Sequence, residues 1–351
     1  MIRSSHSTFA NDYVYREAYD RHFILNITGV QSLEQCAYQC HNNDYCRTAT
    51  YYSVDKICSL SEEYSYVGIK IEAIGIATII SFTLCPNGYS EPEYLCFGDE
   101  RQPVPFADML LSLTLVKTLS NTLSFRPAMT TTSLYIPLVN NDTLLIYDLA
   151  SYSLADKVQL KPGVYIQGFD LDLRKNYLFN DAISHNLYYY TNSTVIAVGD
   201  ANYATFHVCM SNQYIVGLRF ISLPIIANVF NKTTFQFLYN VSSAINPLAC
   251  IILSDQLYLA ADAGILKVND SSTVVFVNDP CRIQGPLDMD AAGRMYAGCE
   301  YSNTSRIIDY ITSASLASIS TSYSIAVGKS SKYKYRLVKY ASLSSLDWYE
   351  Y

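Results

Sequence analysis

From Met109 to Tyr351, short β-rich runs alternate with turns of Asn, Asp, Gly and Ser, and we identify no convincing amphipathic helix. One strand recurs with an apolar or aromatic pair near its start, at Leu134-Tyr135, Tyr177-Leu178, Tyr214-Ile215, Leu257-Tyr258, Met295-Tyr296 and, in a poorer copy, Tyr333. Successive copies lie about 40 residues apart, which is the length of a four-stranded antiparallel repeat. The pattern therefore predicts six such repeats.

A longer internal similarity supports this periodicity. The segment IQGFDLDLRKNYLF (166–179) aligns with IQGPLDMDAAGRMY (283–296), so that Asp172 corresponds to Asp290, three repeats later. Repeats of this length and strand content predict a six-bladed β-propeller over residues 109–351. The last repeat supplies three strands, and the run 110–118 has no hairpin partner of its own. Because an open sheet edge favours aggregation, we expect strand 110–118 to complete the last blade.

Residues 1–96 follow a different pattern, which predicts a small α+β module. Ser32 and Gln35 have the spacing of a capping box, so a helix is expected to begin at Leu33. The run from Thr48 to Val54 is strand-like, with a turn at Asp55-Lys56 and a second short strand through Cys58. Charges and two prolines in the segment 97–108 predict a linker between the module and the propeller.

The cysteines indicate disulfides rather than a metal site. Of the ten cysteines, six lie between residues 36 and 96, at Cys36, Cys40, Cys46, Cys58, Cys85 and Cys96. Their spacings match no zinc finger or ribbon, and the chain contains no Cys-x-x-Cys. Cys281 and Cys299 flank Asp290 symmetrically, which predicts a bridge across a hairpin, and Cys209 and Cys250 lie on the first strands of adjacent repeats, where a bridge is also possible. Dense disulfides indicate an oxidising compartment.

Acceptors for N-glycosylation (Asn-x-Ser/Thr) support an extracellular location, and they occur at Asn26, Asn141, Asn192, Asn231, Asn240, Asn269 and Asn303. Residues 1–21 lack the apolar segment of a signal peptide, so we expect the secreted protein to have a start that this sequence lacks. The most apolar stretch, Ala73 to Leu84, is too short to span a bilayer, and no transmembrane segment is predicted. The sequence leaves open whether the full-length protein is membrane-anchored.

Charge and aromatic content restrict the classes of partner. The net charge is −7 with no long run of Lys or Arg, which makes nucleic acid an improbable partner. Thirty-two tyrosines against one tryptophan fit half-buried strand positions. A tyrosine-crosslinked matrix protein is the alternative interpretation of the same composition.

The N-terminal module resembles the PAN/apple domain. The resemblance covers roughly residues 10–85 and rests on the helix with Cys-x-x-x-Cys, the pair Cys46-Arg47, the aromatic strand at Tyr51-Tyr52, and Cys58-x-Leu60. It implies pairing of Cys36 with Cys58 and of Cys40 with Cys46. Family members often carry an outer bridge, but no cysteine precedes Cys36 here, so we expect Cys85 to pair with Cys96. The resemblance implies binding of a protein or a carbohydrate.

The repeat region resembles the NHL/YWTD group of six-bladed propellers, most clearly in FDLDLRKNYLFNDAISHNLYYYT (169–191). The segment Tyr-Leu-Phe-Asn-Asp stands where the Tyr-Trp-Thr-Asp signature would, and the signature tetrad itself is absent from the sequence. This resemblance concerns the fold and implies little about activity.

Catalysis has few candidate residues in this chain. The histidines of the repeat region are His185, in an expected solvated turn, and His207, on an inner strand where it lines the predicted channel. Carboxylates on the channel axis, with Asp170 and Asp288 as candidates, would suit calcium, whereas Asp172 and Asp290 fit hairpin turns that hold Asp for local hydrogen bonding. No nucleophile elbow or phosphate loop is present.

The sequence thus predicts a non-catalytic extracellular recognition or adhesion protein without a cofactor, which binds a protein or a glycan. The alternative is a calcium-dependent propeller hydrolase or lyase that uses the channel carboxylates.

Overall fold

The computed structural model describes residues 6–97, 101–120, 126–139, 141–172, 174–199, 207–219, 226–242, 248–261, 264–269, 272–278, 283–299, 304–321, 326–331, 334–342 and 345–351. Within these ranges the chain is mainly β-structure, and a small α+β module precedes a series of four-stranded sheets.

The N-terminal module is a twisted sheet that carries one helix. Its elements are β1 (His6–Asn11), β2 (Tyr13–Arg16), a 3-10 helix (Asp20–His22), β3 (Phe23–Thr28), α1 (Leu33–Asn42), β4 (Thr48–Tyr52), β5 (Ile57–Ser61), β6 (Ile69–Glu72) and β7 (Ala77–Thr83). Five strands form one sheet in the order β1-β7-β4-β5-β3, and β2 pairs with β6 in a separate ribbon. The helix begins at Leu33 as predicted, because the Ser32 hydroxyl accepts a hydrogen bond from the Gln35 amide at 3.2 Å.

The segment after the module differs from the sequence prediction. It contains β8 (Tyr94–Leu95), β9 (Val104–Pro105), α2 (Phe106–Leu111) and β10 (Thr114–Ser120). The segment predicted as a linker, 97–108, is therefore partly structured, and the strand expected at 110–118 begins at Thr114. The physical reason is burial: Phe106 and Met109 pack among Tyr296, Ile307 and Tyr335, so this stretch is part of a core.

Six four-stranded antiparallel sheets lie within the described residues, and we number them 1 to 6. Sheet 1 comprises β11 (Ala128–Met129), β12 (Ser133–Pro137), β13 (Thr143–Asp148) and β14 (Leu154–Gln159). Sheet 2 comprises β15 (Ile166–Leu171), β16 (Tyr177–Asp181), β17 (Leu187–Thr191) and β18 (Thr194–Val198). Sheet 3 comprises β19 (Val208–Met210), β20 (Tyr214–Arg219), β21 (Ile226–Asn231) and β22 (Phe237–Ser242). Sheet 4 comprises β23 (Ala249–Leu253), β24 (Gln256–Ala261), β25 (Gly264–Asn269) and β26 (Ser272–Asn278). Sheet 5 comprises β27 (Ile283–Met289), β28 (Arg294–Cys299), β29 (Thr304–Asp309) and β30 (Ser315–Ser320). Sheet 6 contains β31 (Ala326–Ser330), β32 (Tyr335–Ser342) and β33 (Ser345–Glu350).

Sheet 6 is completed by a strand from far earlier in the chain. β10 pairs antiparallel with β33, so that Thr118 lies opposite Asp347 and donates a hydrogen bond to its carboxylate at 2.7 Å. The sequence analysis expected this closure, although with a strand that started four residues too early.

The first strands of successive sheets contact one another from sheet 2 to sheet 6, and β11 of sheet 1 contacts β31 of sheet 6. Between sheets 6 and 1, the fully buried Trp348 belongs to one cluster with Leu134 and Leu346. Five of the recurring pairs found in the sequence lie on the second strands of sheets 1 to 5, whereas Tyr333 lies outside the described residues. The layout fits a propeller-like fold.

Candidate binding surface

Disulfides fix the N-terminal module. Cys36 and Cys58 are bonded at 2.01 Å and Cys40 and Cys46 at 1.95 Å, which ties α1 to β5 and to the loop after the helix. Cys85 is bonded to Cys96 at 1.95 Å, and Cys209 to Cys250, which joins β19 of sheet 3 to β23 of sheet 4. Cys299 is disulfide-bonded, whereas Cys281 lies outside the described residues.

One face of the module, which we call the docked face, packs against the four-stranded sheets. It consists of residues 15–22 and 61–67, and it is organised by the buried carboxylate of Glu63. This carboxylate accepts hydrogen bonds at 2.8 Å from the Tyr15 hydroxyl and from the amides of Ala18 and Tyr19. Since a buried carboxylate needs several donors, this network holds residues 15–22 in one conformation.

The 3-10 helix directs two side chains of the docked face into the sheets. The Arg21 guanidinium is paired with Asp170 of β15 and lies 3.7 Å from Asp288 of β27. The His22 ring contacts Glu63 through Nδ1 at 2.8 Å and the carbonyl of Met289 through Nε2 at 3.0 Å. The structure thus brings together the two carboxylates proposed as calcium ligands, and it places a cation between them.

A second arginine reaches the same cluster from the sheets. Arg126, just before β11, donates to the carbonyl of Val208 and, at 3.3 Å, to that of Leu287, and its Nη2 lies 3.9 Å from Asp170. Two buried guanidinium groups therefore face two buried carboxylates, and the charges balance without a metal ion. A calcium ion at this position would have to displace Arg21.

Asp172 and Asp290 act in hairpin turns, as their position in the sequence suggested. The Asp172 carboxylate accepts from the amides of Arg174 and Asn176 at 2.9 Å, and Asp290 accepts from Ala292 and Arg294 at 3.0 and 3.1 Å. Burial raises the pKa of Asp172, but the charge and hydrogen bond of Lys232 at 2.8 Å together with the hydrogen bonds from Asn176 outweigh burial, and the pKa lies below its usual value.

The two histidines of the repeat region lie on different sheets and in different surroundings. His207 directly precedes β19, and burial together with the charge of Arg126 lowers its pKa to about 3. It is therefore neutral at physiological pH. His185 lies in the turn before β17, and its amide donates to the Asp181 carbonyl at 2.8 Å.

Further contacts hold the docked face to other sheets. Glu62 is paired with Lys329 of β31, and the Tyr45 hydroxyl accepts from Arg336 of β32 at 2.7 Å. Arg16 is paired with Asp255 in the hairpin of sheet 4. The Asp20 carboxylate accepts a hydrogen bond from the amide of Asn212 in the hairpin of sheet 3, so the module contacts sheets 2 to 6 at the end where first and second strands turn.

Outside the docked face, the module exposes a group of aliphatic side chains on the β2–β6 ribbon and on the turns beside it. We call this group the outer face, and it consists of Val54, Ile69, Ile71, Ile74 and Ile76. Val54 and Ile74 are each 73% exposed, which is unusual for aliphatic side chains in turns.

Backbone hydrogen bonds bring the parts of the outer face together. The Ser53 amide donates to the carbonyl of Ile76 at 3.0 Å, and this joins the turn that carries Val54 to the turn that carries Ile74. The Asp12 carboxylate accepts from the Gly75 amide at 2.7 Å. Gly75 has a φ of +69° and so allows the tight turn. These hydrogen bonds hold the two turns together, and Asp12 is a charged neighbour of the turn that carries Ile74.

A protein-family model, the PAN domain, matches residues 12–76. Residues 12–76 are a PAN domain. PAN domains are non-catalytic modules that bind proteins or carbohydrates in extracellular proteins. Comparison of the chain with curated proteins gives no match. All residues of the outer face lie within this PAN domain.

The acceptor asparagines that the structure describes lie at the surface. Asn26, Asn141, Asn192, Asn240 and Asn269 are exposed and Asn231 is half-buried, whereas Asn303 lies outside the described residues. None of the described helices is long and apolar enough to cross a membrane.

Sequence reasoning did not identify the outer face. The signal was present in the segment IKIEAIGIA (69–77), where isoleucine recurs at every second or third position. In the sequence this run indicates a buried strand, and only the tertiary structure shows that four of its isoleucines remain exposed.

Proposed function

We propose that this chain is an extracellular recognition protein, and that its PAN domain binds a protein ligand through the outer face. The observation that carries the proposal is the set of exposed aliphatic side chains on preformed turns, because such a patch on a soluble domain is typical of an interaction site. Carbohydrate sites need aromatic rings and polar groups that match hydroxyls, and the five residues of the outer face are all aliphatic. A protein ligand is therefore favoured over a glycan.

In this proposal the six sheets form a six-bladed propeller of the NHL/YWTD type that serves as a rigid platform. The docked face covers the end of the platform where the first and second strands turn, and the outer face remains exposed. Pairing of Arg21 with Asp170 supports a fixed mutual orientation, because these charges are buried and need each other.

The enzyme alternative, a calcium-dependent hydrolase or lyase, has less support. Its candidate ligands Asp170 and Asp288 already share the guanidinium of Arg21. The tyrosine-crosslinked matrix alternative is also weakened, because tyrosines such as Tyr135, Tyr296 and Tyr335 are fully buried.

The test is a binding screen with the full chain, secreted from a eukaryotic host, against a panel of extracellular proteins and a glycan array. Any hit is repeated with the variant Val54→Ser/Ile74→Ser and with Leu111→Ser as a control, since Leu111 is 88% exposed on α2, outside the PAN domain. We expect binding of a protein that the double variant loses and the control keeps. A ligand bound equally by all three chains would refute the outer face as the site.

A further inference from the structure

The outermost strands of the six sheets are protected in different ways. A free sheet edge presents unpaired amides and carbonyls, so proteins protect edges with charges, covering elements or bulges. In the described residues, the outermost strands are β10, β14, β18, β22, β26 and β30.

Two of these strands carry charge. β14 holds Asp156 and Lys157, both exposed, and β10 holds Lys117 in its middle. A third strand, β30, has no charge, but α2 packs against it, and Phe106 and Met109 share a core with Leu316 and Ile319. Sheets 1, 5 and 6 therefore have charged or covered edges.

The remaining three strands have neither a charge nor a covering element among the described residues. Their sequences are TVIAV (β18), FLYNVS (β22) and STVVFVN (β26), which contain β-branched and aromatic residues and no charge. Phe237, Leu238, Val274 and Val275 are each about half exposed. β18 pairs with β17 over its whole length without a register shift, so it also lacks the bulge that the other five outermost strands have.

These same three strands are the ones that follow a hairpin with a glycosylation acceptor. Asn192 lies in the hairpin before β18, Asn231 at the hairpin before β22, and Asn269 at the hairpin before β26. The corresponding hairpins before β14 and β30, residues 149–153 and 310–314, contain no acceptor. β22 has a second acceptor, the exposed Asn240, on the strand itself.

We propose that N-linked oligosaccharides at Asn192, Asn231 and Asn269 protect the outer edges of sheets 2, 3 and 4 against strand-to-strand association. An N-linked oligosaccharide is bulky and strongly hydrated, so at the end of a hairpin it blocks the approach of another strand along the adjacent edge. The inference rests on the extracellular location in the proposed function, because N-glycosylation occurs in the secretory route.

The variants should remove the glycans and keep the turns. Asn231 accepts hydrogen bonds from the amides of Thr233 and Thr234 at 2.9 Å, and Asn192 has a φ of +47°, so both asparagines shape their turns. We therefore remove the hydroxyl residue of each acceptor, in the triple variant Thr194→Ala/Thr233→Ala/Ser271→Ala. Asn141→Gln is the matched control, because that acceptor belongs to sheet 1, whose outermost strand is charged.

The experiment compares these chains, secreted from a eukaryotic host, by intact-glycopeptide mass spectrometry and by light scattering across a concentration series. We expect glycans at all three hairpin acceptors in the wild type, loss of the monomer at high concentration in the triple variant, and a monomeric control. Enzymatic removal of glycans from the folded wild type should cause the same association, which separates edge protection from an effect on folding.

A charge on each exposed edge should replace the glycan. Adding Ala197→Lys, Leu238→Lys and Val274→Lys to the triple variant is expected to restore the monomer, because lysine on an edge disfavours strand pairing. A monomeric triple variant, or association that the lysines do not reverse, would overturn the inference. If Asn26 or Asn141 carries a glycan but the three hairpin acceptors do not, this inference fails while the proposed function stands. If no acceptor carries a glycan, the extracellular location is contradicted as well.

Discussion

The two faces of the PAN domain reverse the usual distribution of side chains. The docked face buries charged groups, among them Arg21, Glu62 and Glu63, whereas the outer face leaves Val54 and Ile74 exposed. The two faces differ because the docked face has its partner within the same chain and the outer face has none within the part of the chain that the structure describes. Charges are buried where the opposite charges belong to the same chain and always occupy the same place, and apolar side chains remain exposed where nothing in the described chain covers them.

This comparison shows how an intramolecular contact can be specific. A buried ion pair costs desolvation free energy, which only a well-matched partner recovers, so such pairs favour one arrangement of two domains over all others. An apolar patch discriminates less by geometry, and its free energy comes from area removed from water. The predictions below test these two roles separately.

The largest effect is expected from Arg21→Met, which leaves Asp170 and Asp288 buried beside one remaining guanidinium. Removing one partner of a buried ion pair typically costs about 3–5 kcal/mol, so the free energy of unfolding should fall by that amount in urea denaturation. The control is Arg16→Met: Arg16 is also paired with the sheets, but its side chain is 39% exposed, and a loss below about 1 kcal/mol is expected. Equal losses in the two variants would contradict the distinction.

The second effect concerns Glu17, next to Glu63 on the docked face. Burial and the neighbouring Glu63 charge raise its pKa from 4.5 to about 7. The folded protein therefore keeps this proton to a higher pH than the unfolded chain, and stability decreases as pH rises from about 4.5 to about 7.

Glu17→Gln removes this ionisation, and we expect it to raise the free energy of unfolding by roughly 2–3 kcal/mol above pH 7 and by little below pH 4. Urea denaturation at pH 4, 6 and 8 measures the effect, with Glu72→Gln on the exposed ribbon as the control for loss of a carboxylate. A gain that does not depend on pH would refute the explanation.

On the outer face, Val54→Ser/Ile74→Ser should change the free energy of unfolding by less than about 0.5 kcal/mol, because both side chains are already in water. Thermal unfolding of the two chains side by side measures the change. A large loss of stability would show that the outer face is part of the core and is not free for a ligand.

The smallest effect is expected from calcium. Because Arg21 and Arg126 already balance the charges of Asp170 and Asp288, neither calcium nor a chelator should move the thermal midpoint of the wild type. If calcium stabilises Arg21→Met but not the wild type, the guanidinium occupies the position of the ion. Stabilisation of the wild type itself would favour the enzyme alternative.

Periodic features could be predicted from the sequence, and the mutual placement of the two domains could not. The recurring pairs from Leu134-Tyr135 to Met295-Tyr296 specify second strands, because alternation and turn residues act locally. The capping residue Ser32 similarly identifies the start of α1. The partner of Asp170 is Arg21, about 150 residues away, and no local pattern links two charges at that distance.

The same reason explains the errors at the segment boundary. Pro103 and Pro105 indicate a linker when only neighbouring residues are considered, yet Phe106 enters a core with Tyr335 of sheet 6. The outer face was missed because exposure of isoleucine depends on what the rest of the chain leaves uncovered.

The pairing of β10 with β33 has a consequence for how the protein is made. A chain that emerges from the ribosome in order produces β10 before any of the six sheets, but its partner strand comes last. Sheet 6 and its contact with sheet 1 therefore form only once β33 has emerged, and Trp348 cannot be buried earlier. Until then the nascent chain must keep β10 and sheet 1 from pairing with other strands, so we expect its folding to depend on factors that bind exposed strands.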